Sequence, residues 1–146
     1  MGAVSTVPAA VRLIGIRDTP LSIDEVFAAV RDPAAGGVCL FVGVVRDHDG
    51  SRDVTALEYS SHPSAADRLT EVATAVSTVD DVIAVAAVHR VGPLAVGDLA
   101  VVCAVAAGHR PAAFAACRRF IDELKDQVPV WKHETFLDGD ATWVGL

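Results

Sequence analysis

Two stretches of the chain, V-C-L-F-V-G-V-V at 38–45 and L-A-V-V-C-A-V-A-A at 99–107, carry no charged or strongly polar side chain at all. Both are too short to cross a bilayer and are rich in β-branched residues, so each reads as a strand. A strand with apolar side chains at odd and even positions alike has no face to offer to water. The second run therefore suits a central strand covered on both faces, and the rest of the fold must supply the cover.

The remaining pattern supplies candidates. Val11 to Ile16 reads as a first strand, and Ser22 with Glu25 forms a capping box that opens a helix to about Arg31. The polar segment R-D-H-D-G-S-R-D follows the first apolar run, and alternation from Val54 to Ser60 predicts a strand pairing back as a hairpin. Pro63 opens a helix to about Ser77 with Ala66, Leu69, Val72, Ala73 and Val76 on one face. Val82 to Val88 reads as a strand joined to the second apolar run through Gly92–Asp98. Pro111 starts a third helix with a stripe of Phe114, Cys117, Phe120 or Ile121, and Leu124; a strand from Pro129 to Phe136, an Asp138-Gly139 turn and a strand near Trp143 end the chain. The order β-α-β-β-α-β-β-α-β-β predicts an α+β fold: a mixed, largely antiparallel sheet with three helices on one side. Several connections are too short for the crossovers of a parallel sheet.

A length of 146 residues without linker or repeat predicts one domain over 1–146, with residues 1–10 flexible. Half of the residues are hydrophobic (52%), yet the most apolar segment, Val82 to Ala107, is cut by His89-Arg90, Gly92-Pro93 and Gly97-Asp98, so no membrane span is expected. The N-terminus lacks a basic region followed by an apolar block, which argues against a secretory signal. Gly2 and Thr6 fit an acylation pattern, but no second anchoring signal follows. A net charge of −7 argues against nucleic acid and anionic membranes as partners. Cys39, Cys103 and Cys117 all lie in apolar stretches with no C-x-x-C, and read as small buried hydrophobes in a reducing, cytoplasmic setting.

Chemistry concentrates in few places. Only two lysines occur, Lys125 and Lys132, seven residues apart in K-D-Q-V-P-V-W-K, against ten arginines. Unlike arginine, lysine can lose a proton, attack an acyl carbon or act as an acid. Lys132 shares a strand face with Val130 and Glu134, while Trp131 and His133 point the other way. Nearby cations would ease loss of the ammonium proton, and Glu134 would oppose that while orienting Lys132. At Ala107-Gly108-His109-Arg110-Pro111, a proline at a helix start leaves N–H groups free beside a guanidinium and an imidazole, which suits an anion. Arg46 ends the first apolar run; if the two apolar strands are neighbours, Arg46, His109 and Arg110 are expected to share one edge of the sheet. Asp47, His48 and Asp49 read as a solvated loop. No metal motif, phosphate loop or nucleophile elbow is present, so no metal and no cofactor is expected.

Five segments together carry a family resemblance: G-G-V-C-L-F-V-G-V-V-R-D-H-D-G at 36–50, A-L-E-Y at 56–59, V-H-R-V-G-P-L-A-V-G-D at 88–98, G-H-R-P-A-A-F-A-A-C at 108–117 and D-E-L-K-D-Q-V-P-V-W-K-H-E at 122–134. With these the chain resembles the large, catalytic subunit of molybdopterin synthase along nearly its whole length. The resemblance implies an α/β hammerhead fold and a central homodimer flanked by two copies of a small ubiquitin-like sulfur carrier. The implied reaction converts cyclic pyranopterin monophosphate to molybdopterin by adding two sulfurs as a dithiolene. Lys125 and Lys132 match the family's catalytic lysines, and Arg46, His109 and Arg110 its anion pocket. Val44, Val45 and Arg46, with Lys132, His133 and Glu134, match its substrate-lining stretches. The sulfur would arrive as a thiocarboxylate on the carrier's C-terminal Gly-Gly, which accounts for the lack of a poised cysteine. Two departures stand out: many members carry a charged tail beyond the position of Leu146, and residues 61–65 differ from the usual pattern. A dimeric anion-binding regulatory domain, or a non-catalytic scaffold for the carrier, would share parts of this pattern without needing both lysines.

Overall fold

The two apolar runs lie side by side. In the computed structural model, which describes residues 7–145, β1 (Val11–Arg17), β2 (Gly37–Val44), β5 (Val82–Arg90) and β7 (Leu99–Ala107) form a four-stranded sheet in the order β1-β5-β7-β2. Only the β1–β5 pair is parallel; β5–β7 and β7–β2 are antiparallel. A second sheet holds β3 (His48–Asp49), β4 (Arg52–Ser61), β8 (Val130–Phe136) and β9 (Ala141–Gly145), with β6 (Gly92–Leu94) also paired to β4. The expected α+β class with three helices holds, but the strands divide between two sheets. The strand read from Val54 to Ser60 does not return along β2. It pairs with the short β3 and, over most of its length, with the distant β8.

Side-chain alternation decides where the helices go. Along β5 and β7, Ala84, Ala86, Val88, Val102, Ala104 and Ala106 face one way and pack under Val26 and Val30 of α1 (Ile23–Val30). Val85, Ala87, Val101, Cys103 and Val105 face the other way, under α2 (Ala65–Ser77) and α3 (Arg110–Gln127). The helices thus cover both faces, not one. Two strands without polar side chains leave two faces to bury, and each fully buried valine contributes about 1.5–3 kcal/mol. Ser22 caps α1 as the capping box predicts, its hydroxyl accepting from the Glu25 N–H at 3.2 Å. Two residues of the expected stripes change. Ala65 rather than Ala66 is buried on α2, and Phe114 is 66% exposed because the inward row of α3 is Ala113, Ala116, Cys117, Phe120, Ile121 and Leu124.

Most of the segment expected to be flexible, with Gly2 and Thr6, lies outside the described residues. Its last part is tied down, since the Val11 N–H donates to Pro8 and the Ala10 carbonyl accepts from Val85. Among the described residues, no helix is long and apolar enough to cross a membrane.

The corner between β7 and α3 is packed backbone against backbone. A Cβ on Gly36 would run into the Gly108 carbonyl oxygen, and one on Gly108 into the Asp81 carboxylate. Asp81 itself adopts a left-handed conformation with φ 69° to reach this position. Gly36→Ala is expected to destabilise the fold by about 1–3 kcal/mol, the usual cost of forcing an extra carbon into packed structure. Gly145→Ala, where a Cβ meets nothing within 4 Å, is the control. Urea unfolding of both variants checks the difference.

Candidate functional site

Where the two sheets meet, a cleft of about 290 Å³ opens between the end of β2, the start of β7, the last turn of α3 and the inner face of the second sheet. From β2 and the residues after it come Phe41 to Arg46; from β7, Ala100 and Val101; from β5, His89. Leu124 and Lys125 close it from α3, and Leu57, Tyr59, Lys132 and Glu134 from β4 and β8.

Each charged group is held there by a local rule. Leu124 is fully buried on the inward row of α3, so Lys125 follows at the edge of that row, in the final turn. The Val128 N–H closes the helix on the Leu124 carbonyl at 3.0 Å, and Pro129 turns the chain into β8. On β8, Val130, Glu134 and Phe136 are buried. Lys132 belongs to the same inward row, so the strand carries its ammonium into the cleft. Cross-strand pairing sets Tyr59 opposite Lys132 and Leu57 opposite Glu134. The seven-residue spacing of the lysines is thus a helix end, a turn and one strand step, and it brings both to one cavity.

The Lys132 ammonium lies 3.1 Å from Glu134 Oε1. The other oxygen, Oε2, is buried and has no hydrogen-bond partner among the described residues. Burial pushes the Glu134 carboxyl up, reinforced by a hydrogen bond with Asp49 and opposed by Lys132. Asp49 is held below the usual carboxylate range, first by that bond to Glu134. The two carboxyls pull each other's titration apart, Glu134 upward and Asp49 downward. Arg46, Lys125 and Lys132 therefore face a single buried carboxyl, and in a chain of net charge −7 the cleft is a local concentration of positive charge.

Of the residues expected to act, Val44, Val45, Arg46, Lys125, Lys132 and Glu134 all line the cleft. His133 does not: strand alternation turns it to the opposite face, where its ring packs on Trp143 with centroids 4.7 Å apart. His109 and Arg110 are also elsewhere. β2 and β7 are neighbours, as the shared-edge reading requires, but they run antiparallel, with Gly37 opposite Ala107 and Val44 opposite Leu99. Arg46 follows one end and His109 the other, about 25 Å apart at roughly 3.3 Å per residue. Nor is the start of α3 a free anion site within the chain. The Asp81 carboxylate already sits there, accepting from the His109 N–H at 2.9 Å and meeting His109 Nδ1 at 3.0 Å.

Two cleft residues carry polar chemistry that the sequence reading missed. Tyr59 packs its ring edge-on against His89, centroids 5.0 Å apart at 82°. His89 shares its strand face with Val85 and Ala87 and is only 2% exposed. Its Nδ1–H donates to the Arg90 carbonyl at 2.7 Å. Burial, helped by the nearby Lys125 charge, lowers its pKa to about 4. The available signal was a lone histidine in an otherwise apolar strand, which by itself does not separate packing from function. No cysteine lines the cleft; Cys39, Cys103 and Cys117 are unpaired within the sheet and α3. Among the described residues, no group of three or more His, Cys, Asp or Glu is placed to hold a metal.

Comparison with known proteins places this geometry among relatives. Residues 16–127 match the family model described as MoaE protein. The chain is 45% identical over 131 residues to molybdopterin synthase catalytic subunit 1 of Mycobacterium tuberculosis, covering 89% of this chain and 88% of that one. The crystal structure of molybdopterin synthase from Staphylococcus aureus superposes with a TM-score of 0.84 at 30% identity, over 91% of this chain and 97% of that one. The fold also matches a protein–protein complex of subunits 1 and 2 of molybdopterin-converting factor from Helicobacter pylori, with a TM-score of 0.69 at 19% identity over 92% and 90% of the two chains.

The buried imidazole gives the fold a defined acid response. An unfolded histidine titrates near 6.5 and His89 near 4, so between these values the unfolded chain binds a proton that the native one does not. Stability should fall as pH drops through that window, by about 3 kcal/mol in total from this group. His89→Phe should flatten the slope, as read by urea midpoints measured from pH 7 to pH 4.

Proposed function

The chain belongs to the MoaE protein family, and from that premise we propose that it is the catalytic subunit of a molybdopterin synthase. It moves sulfur from the thiocarboxylated Gly-Gly terminus of a small ubiquitin-like carrier to cyclic pyranopterin monophosphate, building the dithiolene of molybdopterin in the cytoplasm. The observation that carries this reading is the convergence of the chain's only two lysines with Arg46 on one cleft. A regulatory anion site or a passive scaffold has no use for that pair.

The residues have distinct tasks in this reading. Arg46 draws the substrate phosphate to the cleft mouth, where a guanidinium can bind it through two hydrogen bonds. Lys125, exposed at the helix end, meets the carrier's acyl carbon or moves a proton there as sulfur leaves. Lys132, held by Glu134, acts from the opposite wall. Val44 and Val45 give the substrate its apolar wall. Glycines at the carrier terminus let an extended backbone enter where side chains would collide. The sulfur comes from outside, consistent with a cleft that no cysteine lines.

Chain direction imposes a further condition. His109 and Arg110 stand at the far end of β7 from Arg46, so they join a cleft only when a second copy of the chain supplies them. The functional unit is then the homodimer at the centre of a heterotetramer, each chain acting as one domain over 1–146.

Supplying thiocarboxylated carrier and cyclic pterin, and measuring dithiolene product, tests the activity directly. Lys125→Ala and Lys132→Ala should each lower turnover by a factor of about a hundred or more with the fold intact. Arginine at either place should not restore it, because guanidinium stays protonated; wild-type rates in both Arg variants would refute proton transfer by the lysines. Dimers combining one Lys125→Ala chain with one Arg110→Ala chain should regain one working site of two. If both groups acted within one chain, the mixed dimer would be as inactive as its parents.

A further inference from the structure

His89 occupies a position that packing alone does not explain. It lies on β5 among Val85 and Ala87, facing α3, and lines the cleft beside Lys125. An apolar side chain would have continued the row. Instead an imidazole is buried to 2% exposure, with one nitrogen spent on its own strand. Nδ1–H donates to the Arg90 carbonyl at 2.7 Å, which fixes the tautomer and leaves Nε2 as a bare acceptor. The edge-on ring of Tyr59 at 5.0 Å holds the orientation from the β4 side. The one hydrogen bond of the ring is made by Nδ1, and His89 is among the residues lining the cleft.

The other polar groups around the cavity are Arg46, Lys125, Lys132 and His48, with the Tyr59 hydroxyl and the Glu134 carboxyl. Most of these are donors. A ligand whose edge presents N–H groups as well as acceptors needs a complementary acceptor deep in the site, and an imidazole kept neutral by burial and by the Lys125 charge supplies one at any ordinary pH.

We propose that His89 is a substrate-binding residue: its Nε2, at the floor of the cleft, accepts a hydrogen bond from an N–H on the ring edge of the bound pterin. This rests on the reading of the cleft as the pterin site. His89 carries no proton in the sulfur transfer; it sets the depth and rotation at which the ring lies under Lys125 and Lys132. Recognition through a single acceptor at the base of a cleft discriminates strongly, since a ligand lacking the donor leaves that acceptor unsatisfied.

Three substitutions separate this from a structural role. Asparagine places its amide where Nδ1 stands and can satisfy the Arg90 carbonyl, but does not reach the cleft. Glutamine carries its terminal group to the position of Nε2 and restores the acceptor there. Phenylalanine keeps the packing against Tyr59 and removes both. With saturating thiocarboxylated carrier, dithiolene formation is followed against pterin concentration for the full-length chain and each variant, with carrier binding measured in parallel. The expected result is a KM for the pterin raised about tenfold to a hundredfold in His89→Asn and His89→Phe, a value near wild type in His89→Gln, and unchanged carrier binding throughout. Near-normal KM in His89→Asn with loss in His89→Gln would overturn the proposal in favour of a purely structural bond to Arg90, and so would equal loss in the two. A normal KM in His89→Phe would also overturn it; should that variant fail to fold, the Asn and Gln pair decides alone. Absence of dithiolene formation by the wild-type chain would remove the synthase reading and this inference together, whereas an active wild type with any of the contrary patterns removes the inference only.

Discussion

Strand β7 presents apolar side chains to both sides along its nine residues, and neither face can be left to water. α1 on one side and α2 with α3 on the other follow from that constraint, and so does the choice of small residues. Alanines at 84, 86, 87, 104 and 106 bring the helices close to the sheet. Because α3 lies against β7 and β2, its final turn ends where β7 begins and β2 finishes. The cleft is the point at which a buried strand, a helix end and the edge of a second sheet run out together. Its polar groups are supplied by residues just past the ends of apolar elements, where the chain first meets solvent.

Much of this was legible before any coordinates. The two apolar runs, the capping box at Ser22 and the turn after Phe136 are local signals with local causes, and the elements they announce are present. Pairing was less legible. Alternation at Val54–Ser60 shows a strand but not its partner, and β8, which takes most of that strand, is some seventy residues further on. Side was also hidden: nothing in Val26 and Val30 of α1 says which face of β5 and β7 they cover, only that a face exists to be covered.

The site divides along the same line. Lys125 and Lys132 were readable because a helix end, a proline turn and strand alternation are short-range features, and the same alternation turns His133 away. Arg46 was readable as a strand end. His109 and Arg110 were misplaced because strand direction is not written in either strand: antiparallel neighbours put their C-terminal ends apart, and the Asp81 carboxylate, distant in sequence, occupies the helix start. His89 was passed over because one histidine among valines and alanines looks like packing until the cleft it lines is known. The proposed substrate and carrier rest on the family resemblance and not on the geometry.

The pairing of β4 with β8 has a consequence in time as well as in space. The first sheet and its helices are complete once the chain has reached the end of α3, but β4 then still lacks its main neighbour. Contacts of such long sequence separation form late, because a large loop must close before they return any stabilisation. During synthesis, β4 leaves the ribosome early with an open edge and waits for the segment beyond α3. Lys132 and Glu134 belong to that closing segment. A nascent chain that already has a folded first sheet therefore still lacks one wall of the cleft.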